Sequence, residues 1–249
     1  MRPPTERQSG VRLRLLIFGG LIGIAGRAWA GPPFLTDDPQ PVPLHHWELY
    51  LASQSAIASH SGLATLPHVE ANYGAAPGLQ LHLIVPAALA WTSSGSPSWG
   101  LGDIEVGAKY RFFGTDETFQ VGTFPLVDLP TGSEARGLGS GEVRVFLPLW
   151  LQDGFGDWLT YGGAAFTWTS GGHDALTLGW LLQRQVAKAL AIGGEAYATF
   201  PFHDEPAQLQ LDLGLVLDFS EHAHLLASGG PSFGNDERAQ AYLAILFTW

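Results

Sequence analysis

Four ionisable side chains recur at even spacing in one short stretch, Asp103, Glu105, Lys109 and Arg111. Alternate residues of an extended chain share a face, so all four project the same way, two acids followed by two bases. Around a water-filled passage such a set could select charged or hydrogen-bonding solutes. In a narrow interior it would equally pair up as a hydrated, salt-bridged filling. Glu48, Glu70, Asn72, His82, Arg144 and Glu195 lie on the polar phase of other alternating runs and are expected to join this network. Asp37 and Asp38 sit in a proline-rich stretch, Pro32 to Pro43, that does not alternate. They would meet the basic members if that stretch folded inward as a plug or gate; otherwise it is a loose leader.

Two other constellations invite chemistry. Ser170, His173 and Asp174 supply a nucleophile, a base and an orienting carboxylate within five residues. Short loops of Ser, Gly, His and Asp are also ordinary turns, and no Gly-x-Ser-x-Gly elbow or phosphate loop accompanies them. The adjacent His45 and His46, and His222 with His224 on one strand face, lack a third ligand; with Cys 0 and no His-x-x-x-His pattern, no metal site and no cofactor are expected.

The elements that must carry these residues read in twos. Leu79, Leu81, Leu83 and Val85 alternate with Gln80 and His82, and Ile104, Val106, Ala108, Tyr110 and Phe112 alternate with the four charged positions. The same period runs through 143–149, 209–217 and 241–249, and more weakly through 45–55, 66–74, 119–129, 158–169, 175–186, 190–200 and 223–230. That makes about twelve strands of roughly 9–11 residues, the length of a tilted membrane-spanning strand. Composition agrees: Gly 32 in 249 residues is well above the usual ~7%, and 14% charged residues is well below the usual ~25%. Coiled coils, helical bundles and disulfide scaffolds are thereby disfavoured.

The first thirty residues read as an export signal. Arg2, Arg7, Arg12 and Arg14 precede an apolar run from Leu15 to Ala25, and Ala28 and Ala30 form the small-x-small site that places cleavage before Gly31. Removal takes five of 12 basic residues and one of 23 acids, leaving 7 against 22, a net charge of −15. A nucleic-acid partner is excluded on that balance, because phosphate binding needs a basic surface.

With apolar residues on one phase and charges on the other, the sheet either hides its apolar face, as in a secreted lipocalin-like barrel or lectin-like sandwich, or turns it to lipid. Trp47, Trp91, Trp158, Trp168 and Trp249 near strand ends suit interfacial girdles and favour lipid. The expected connections 92–101, 130–141, 201–207 and 231–237 are mostly longer than 75–78, 114–118, 152–157, 187–189 and 219–222. Long loops outward and short turns inward would put both chain ends in the periplasm. Phe247 and Trp249 end the last strand on an aromatic, which resembles the signal read by the barrel-assembly machinery of outer-membrane proteins and equally suits an interface-anchoring Trp. Pro86, Pro125 and Pro148 fall inside strand runs, where a missing N–H weakens the ladder and could open a lateral exit.

Several motifs point to one family. Gly31-Pro32-Pro33-Phe34-Leu35-Thr36-Asp37-Asp38-Pro39 followed by His46-Trp47-Glu48, then Glu70-Ala71-Asn72-Tyr73-Gly74, Gln80-Leu81-His82 and the run from Gly102 through Phe112, resemble the outer-membrane family labelled "Putative MetA-pathway of phenol degradation". Pro130-Thr131-Gly132, Leu147-Pro148-Leu149-Trp150 and 179–185 extend the resemblance, which is densest over 31–185. It implies an outer-membrane β-barrel that moves small, often aromatic, molecules. The sequence thus predicts an all-β, antiparallel up-and-down transmembrane barrel of about 12 strands. Residues 1–30 would be a signal peptide, 31–44 a leader or plug, and 45–249 the barrel. It would pass small-molecule solutes passively through outer-membrane lipid, without catalysis. A sealed structural barrel and an outer-membrane hydrolase are the alternatives.

Overall fold

The computed structural model describes residues 32–203, 205–234 and 236–249. The signal-peptide reading, with Ala28 and Ala30, lies outside them. Fourteen strand segments form one antiparallel sheet: β1 (Trp47–Ala58), β2 (Ser61–Ala76), β3 (Leu79–Thr92), β4 (Ser98–Leu101), β5 (Ile104–Phe113), β6 (Gln120–Thr123), β7 (Leu126–Leu129), β8 (Arg144–Phe155), β9 (Trp158–Thr169), β10 (Ala175–Ala187), β11 (Leu190–Pro201), β12 (Gln208–Asp218), β13 (Ala223–Phe233) and β14 (Glu237–Thr248). β4 and β5 continue each other along β3, and β6 and β7 continue each other along β5. The fourteen segments are therefore twelve staves. Pairing of β1 with β14 closes the cylinder, and reciprocal backbone bonds between Trp47 and Trp249 finish it.

The pleat settles which face is outside. Along β10, Leu176, Leu178, Trp180 and Leu182 are exposed while Ala175, Thr177, Leu181 and Gln183 are buried. Along β12, Leu213 is 77% exposed and Gln210 1%. Apolar side chains turn outward and polar ones inward, the reverse of a water-soluble barrel and the arrangement lipid requires. No helix among the described residues is long and apolar enough to cross a membrane; the crossing elements are strands.

Several strand boundaries differ from the sequence reading: β1 and β2 extend to Ala58 and from Ser61, past the 45–55 and 66–74 runs, and β14 begins at Glu237 rather than 241. Residues 98–101 pair with β3, which shortens the 92–101 connection, and β8 runs through Asp153-Gly154 to a turn at Gly156, whose φ of 62° suits glycine. The other expected connections, 75–78, 114–118, 130–141, 187–189, 201–207 and 219–222, fall within a few residues of the observed ones.

The interruptions have local causes. Between β4 and β5, Gly102 donates its N–H to Pro86 O (2.9 Å) and Ile104 donates to Thr131 Oγ1 (3.0 Å), so the strand kinks under the loop that follows β7. Between β6 and β7 stand Phe124 and Pro125. β8 pairs with Gln120–Gly122 on one side of this break and with Leu126–Asp128 on the other, in a single register. Continuing that register sets Thr123, Phe124 and Pro125 opposite Leu149, Pro148 and Leu147, three rows left out of the ladder. Proline stands on both sides and donates on neither. Thr123 Oγ1 bonds Pro148 O (2.6 Å) across the gap.

Candidate functional site

The lumen divides into two parts. At the end where the chain termini meet, the opening segment 32–46 runs inside the cylinder. Its Phe34 packs with Leu159, Tyr161 and Leu181 into a small core. Glycines from five segments leave the room it occupies. A Cβ on Gly214 would stand 2.7 Å from the Phe34 ring, one on Gly122 2.8 Å from Pro39, and Gly74, Gly179 and Gly193 face Pro43, Thr36 and Phe34 in the same manner. Small residues here are a seat, because close packing of backbone against a side chain tolerates no added carbon.

Polar anchors hold the same segment. Glu195 accepts the backbone N–H groups of Leu35 (3.0 Å) and Thr36, and Gln80 accepts that of Val42 (2.9 Å). Ser228 donates to Pro33 O, and the Gln120 and Gln152 amides reach Gln40 (3.5 and 3.2 Å). Lys109 donates to Asp37 (2.8 Å) and reaches Asp38 (3.4 Å). Burial pushes the Asp38 carboxyl up to about 8, with the Lys109 ammonium pulling the other way. Asp37, Asp38, Lys109 and Glu195 are thus brought together as one anchorage rather than as a solvent-filled ring.

Beyond the segment the lumen widens into a vestibule of about 930 Å³, reaching the long-loop end. A chain of side chains climbs its wall. Asn72 donates to Glu70 (2.8 Å); His82 bridges Asn72 (2.7 Å) and Glu105 (3.0 Å); Arg144 binds Asp128 and lies 3.9 Å from Glu105. His68 stands 3.9 Å from Glu70, and Glu48 accepts from Tyr50 (3.0 Å) nearer the segment. Among the described residues, nine carboxylate side chains line the vestibule against the single guanidinium of Arg144. Such a chamber attracts cations and repels anions. One sector of its wall is apolar, with Ile84, Pro86, Leu126, Leu138 and Phe146.

Two candidates sit apart from the network. Asp103 accepts from Gly132 N (2.9 Å), Ser140 N (2.7 Å) and Ser140 Oγ (2.9 Å), so it folds the 130–143 loop over the rim. Arg111 binds Asp116 and Gln120 (2.9 Å) beside a short turn. Ser170, His173 and Asp174 have separate occupations: Ser170 Oγ accepts from Val143 N, His173 meets Glu142 (3.3 Å), and Asp174 accepts from Thr169 N. His224 pairs with Asp218 (2.7 Å), and among the described residues no three potential ligands converge on a metal position.

The sequence reading missed Asp128, His68 and Phe124. Phe124 and Asp128 share the inward phase of 119–129, but Pro125 obscured the period there. Phe124 is 4% exposed, borders both parts of the lumen, meets His82 edge-on at 5.1 Å and lies 5.0 Å from Lys109 Nζ.

A closed twelve-stave antiparallel sheet, apolar outside and charged within, defines a transmembrane β-barrel of the outer-membrane class. The model of the family "Putative MetA-pathway of phenol degradation" matches residues 57–246, and the chain belongs to that family. Solved structures agree on the fold. A COG4313 outer membrane channel from Pseudomonas putida F1 superposes with a TM-score of 0.64 at 15% identity, covering 85% of this chain and 98% of its own. The NanC porin gives 0.58 at 10%, covering 80% and 98%. The KdgM porin in complex with disordered oligogalacturonate gives 0.57 at 11%, also covering 80% and 98%. No curated protein sequence matches significantly.

Proposed function

We propose that this barrel passes small, largely hydrophobic or aromatic molecules across the outer membrane without an energy source, and that they leave sideways through the wall. The observation that carries the reading is the gap at Thr123–Pro125 and Leu147–Leu149, which lies beside a lumen whose far end is occupied by the seated segment. In the orientation that fits, the long loops and vestibule face outward and the chain ends face the periplasm. The segment 32–46 is then a plug. Solute enters the vestibule, rests on the apolar sector and meets the gap before it meets the plug. Structures of channels and porins with the same fold and the family's description support passage of small molecules. The acidic wall would favour cationic over anionic solutes. Lipid surrounds the barrel, Phe247 and Trp249 present the assembly signal, and the chain performs no catalysis.

The test uses cysteines, which the chain lacks. Opposed antiparallel rows are close enough for a disulfide, so Thr123→Cys with Leu149→Cys staples the gap on its lipid side. Uptake of the hydrophobic dye N-phenyl-1-naphthylamine by intact cells should rise on expression, fall to background when the staple is oxidised, and return with reductant. Uptake no faster than in cells lacking the barrel would sink the transport reading and leave a sealed structural barrel. In planar bilayers the refolded protein should give small cation-preferring steps, less selective after Glu105→Gln.

A further inference from the structure

We propose that Phe124 is the gate residue of the lateral gap and that the opening segment holds it shut through Lys109. The inference rests on the lateral-exit reading and adds the side chain that controls it. Phe124 is one of the two residues between β6 and β7, so its backbone forms the edge of the gap while its ring points into the lumen. The ring borders both the vestibule and the small cavity of about 50 Å³ beside the segment. An apolar solute in the vestibule reaches the gap only if this ring moves.

Three contacts hold it. Gly107 on β5 leaves room beside the ring; a Cβ there would stand 3.3 Å from Phe124 Cε2 and closer still to Leu126 and the Pro125 carbonyl oxygen. His82 meets the ring edge-on, and the Lys109 ammonium faces it at 5.0 Å. A cation is attracted to the negative face of an aromatic ring, most strongly where water is excluded, and Lys109 is only 4% exposed. Lys109 does not stay there unaided. An ammonium buried at that depth needs a carboxylate, and Asp37 at 2.8 Å comes from the opening segment, with Asp38 beside it at 3.4 Å. The order of dependence is therefore segment, lysine, ring, gap. Loosening the first frees the last, so the segment acts on the lateral route at a distance from it.

The experiment measures N-phenyl-1-naphthylamine uptake by intact cells carrying the full chain. Phe124→Leu removes the ring at similar bulk, Asp37→Asn removes the carboxylate nearest Lys109, and the two are then combined. Each single change should speed uptake about tenfold, the factor a desolvated cation–π contact supplies. The combination should speed it no further, because both act through one contact. Folding is checked by heat-modifiable migration in gels. If Phe124→Leu proves unstable, Asp37→Asn alone and Lys109→Met carry the test. The oxidised Thr123–Leu149 staple should block all of these variants. Unchanged uptake in folded Phe124→Leu, with the staple still blocking the parent, overturns the gate and spares the lateral route. A fully additive combination overturns the control by the segment. A staple that blocks nothing overturns the lateral route itself, and any faster uptake by Phe124→Leu would then be axial widening.

Discussion

Removing Glu195 should unseat the opening segment. The carboxylate accepts the N–H groups of Leu35 and Thr36 from β11, across some 160 residues of chain. A hydrogen bond to a charged group contributes roughly 1.5–3 kcal/mol, so two contribute about 3–6 kcal/mol. In Glu195→Ala the released amides regain water, while Ser228 and the Phe34 seat still hold the neighbouring residues, so the lower figure applies. About 3 kcal/mol is a factor of roughly a hundred in the docked-to-released ratio. Thr36→Cys reads this ratio: the replacement is nearly isosteric, the site is 0% exposed and the chain has no other thiol. Labelling by a membrane-impermeant maleimide should be about a hundredfold faster in Glu195→Ala than with Glu195 present, each rate normalised to the denatured chain. Equal rates would refute the anchorage by Glu195. Rapid labelling in both would refute the docking of the segment altogether.

Gly214→Ala should also release the segment although it removes no hydrogen-bonding group, since the added carbon lies 2.7 Å from the Phe34 ring, and 2.8 Å from the Ala227 carbonyl oxygen of the wall; the same thiol should label faster, while heat-modifiable migration reports whether the barrel stays closed. The Asp38 contribution to docking should weaken as pH rises. The docked Asp38 carboxyl, held up at about 8, keeps a proton that a released aspartate gives up at ~3.9, so this contribution is largest below about pH 4, declines up to about 8 and is flat above. Normalised Thr36→Cys labelling at pH 5 and pH 8 checks the sign. Phe247→Ala keeps the closing backbone pair of Trp47 and Trp249 but alters the terminal aromatic pattern. Folded barrel in the outer membrane should fall severalfold, and refolding from urea into lipid vesicles should not.

Period two carried most of the fold because lipid and lumen impose opposite chemistry on successive residues. Leu209 to Leu217 and Leu79 to Val85 announce both the strand and its outward face. Where a local feature breaks that contrast, the pattern still marks the strand but not its details: Pro125 splits the 119–129 run into β6 and β7, and the inward Ala244 and Leu246 beside outward Ile245 and Phe247 leave the last strand apolar on both faces. The site was legible as a list of inward polar residues, not as a set of partners. Nothing in spacing separates Lys109, which holds the opening segment, from Arg111 two positions on, which serves a turn. The difference arises from depth in the barrel, fixed by strand tilt and register. Asp103 shares a phase with Glu105 yet folds a loop, because the chain kinks at Gly102. The glycines of the seat stand out in the sequence only by number, and the segment lying on them gives each a neighbour.

The seat also orders events during folding. Residues 32–46 are made before any strand of the barrel, yet the groups they rest on come from β2, β6, β10, β11, β12 and β13, as far along the chain as Ser228. No partial sheet presents the whole seat. Contacts of such long sequence separation are slow to form. A stretch made before the whole wall must therefore be the last to find its place, threading into a cylinder that has already closed, or waiting at its mouth while β1 and β14 meet. An intermediate lacking the final hairpin would carry a loose leader and an unfilled bore. Arrival of the leader is then a chemical record that the wall around it is complete.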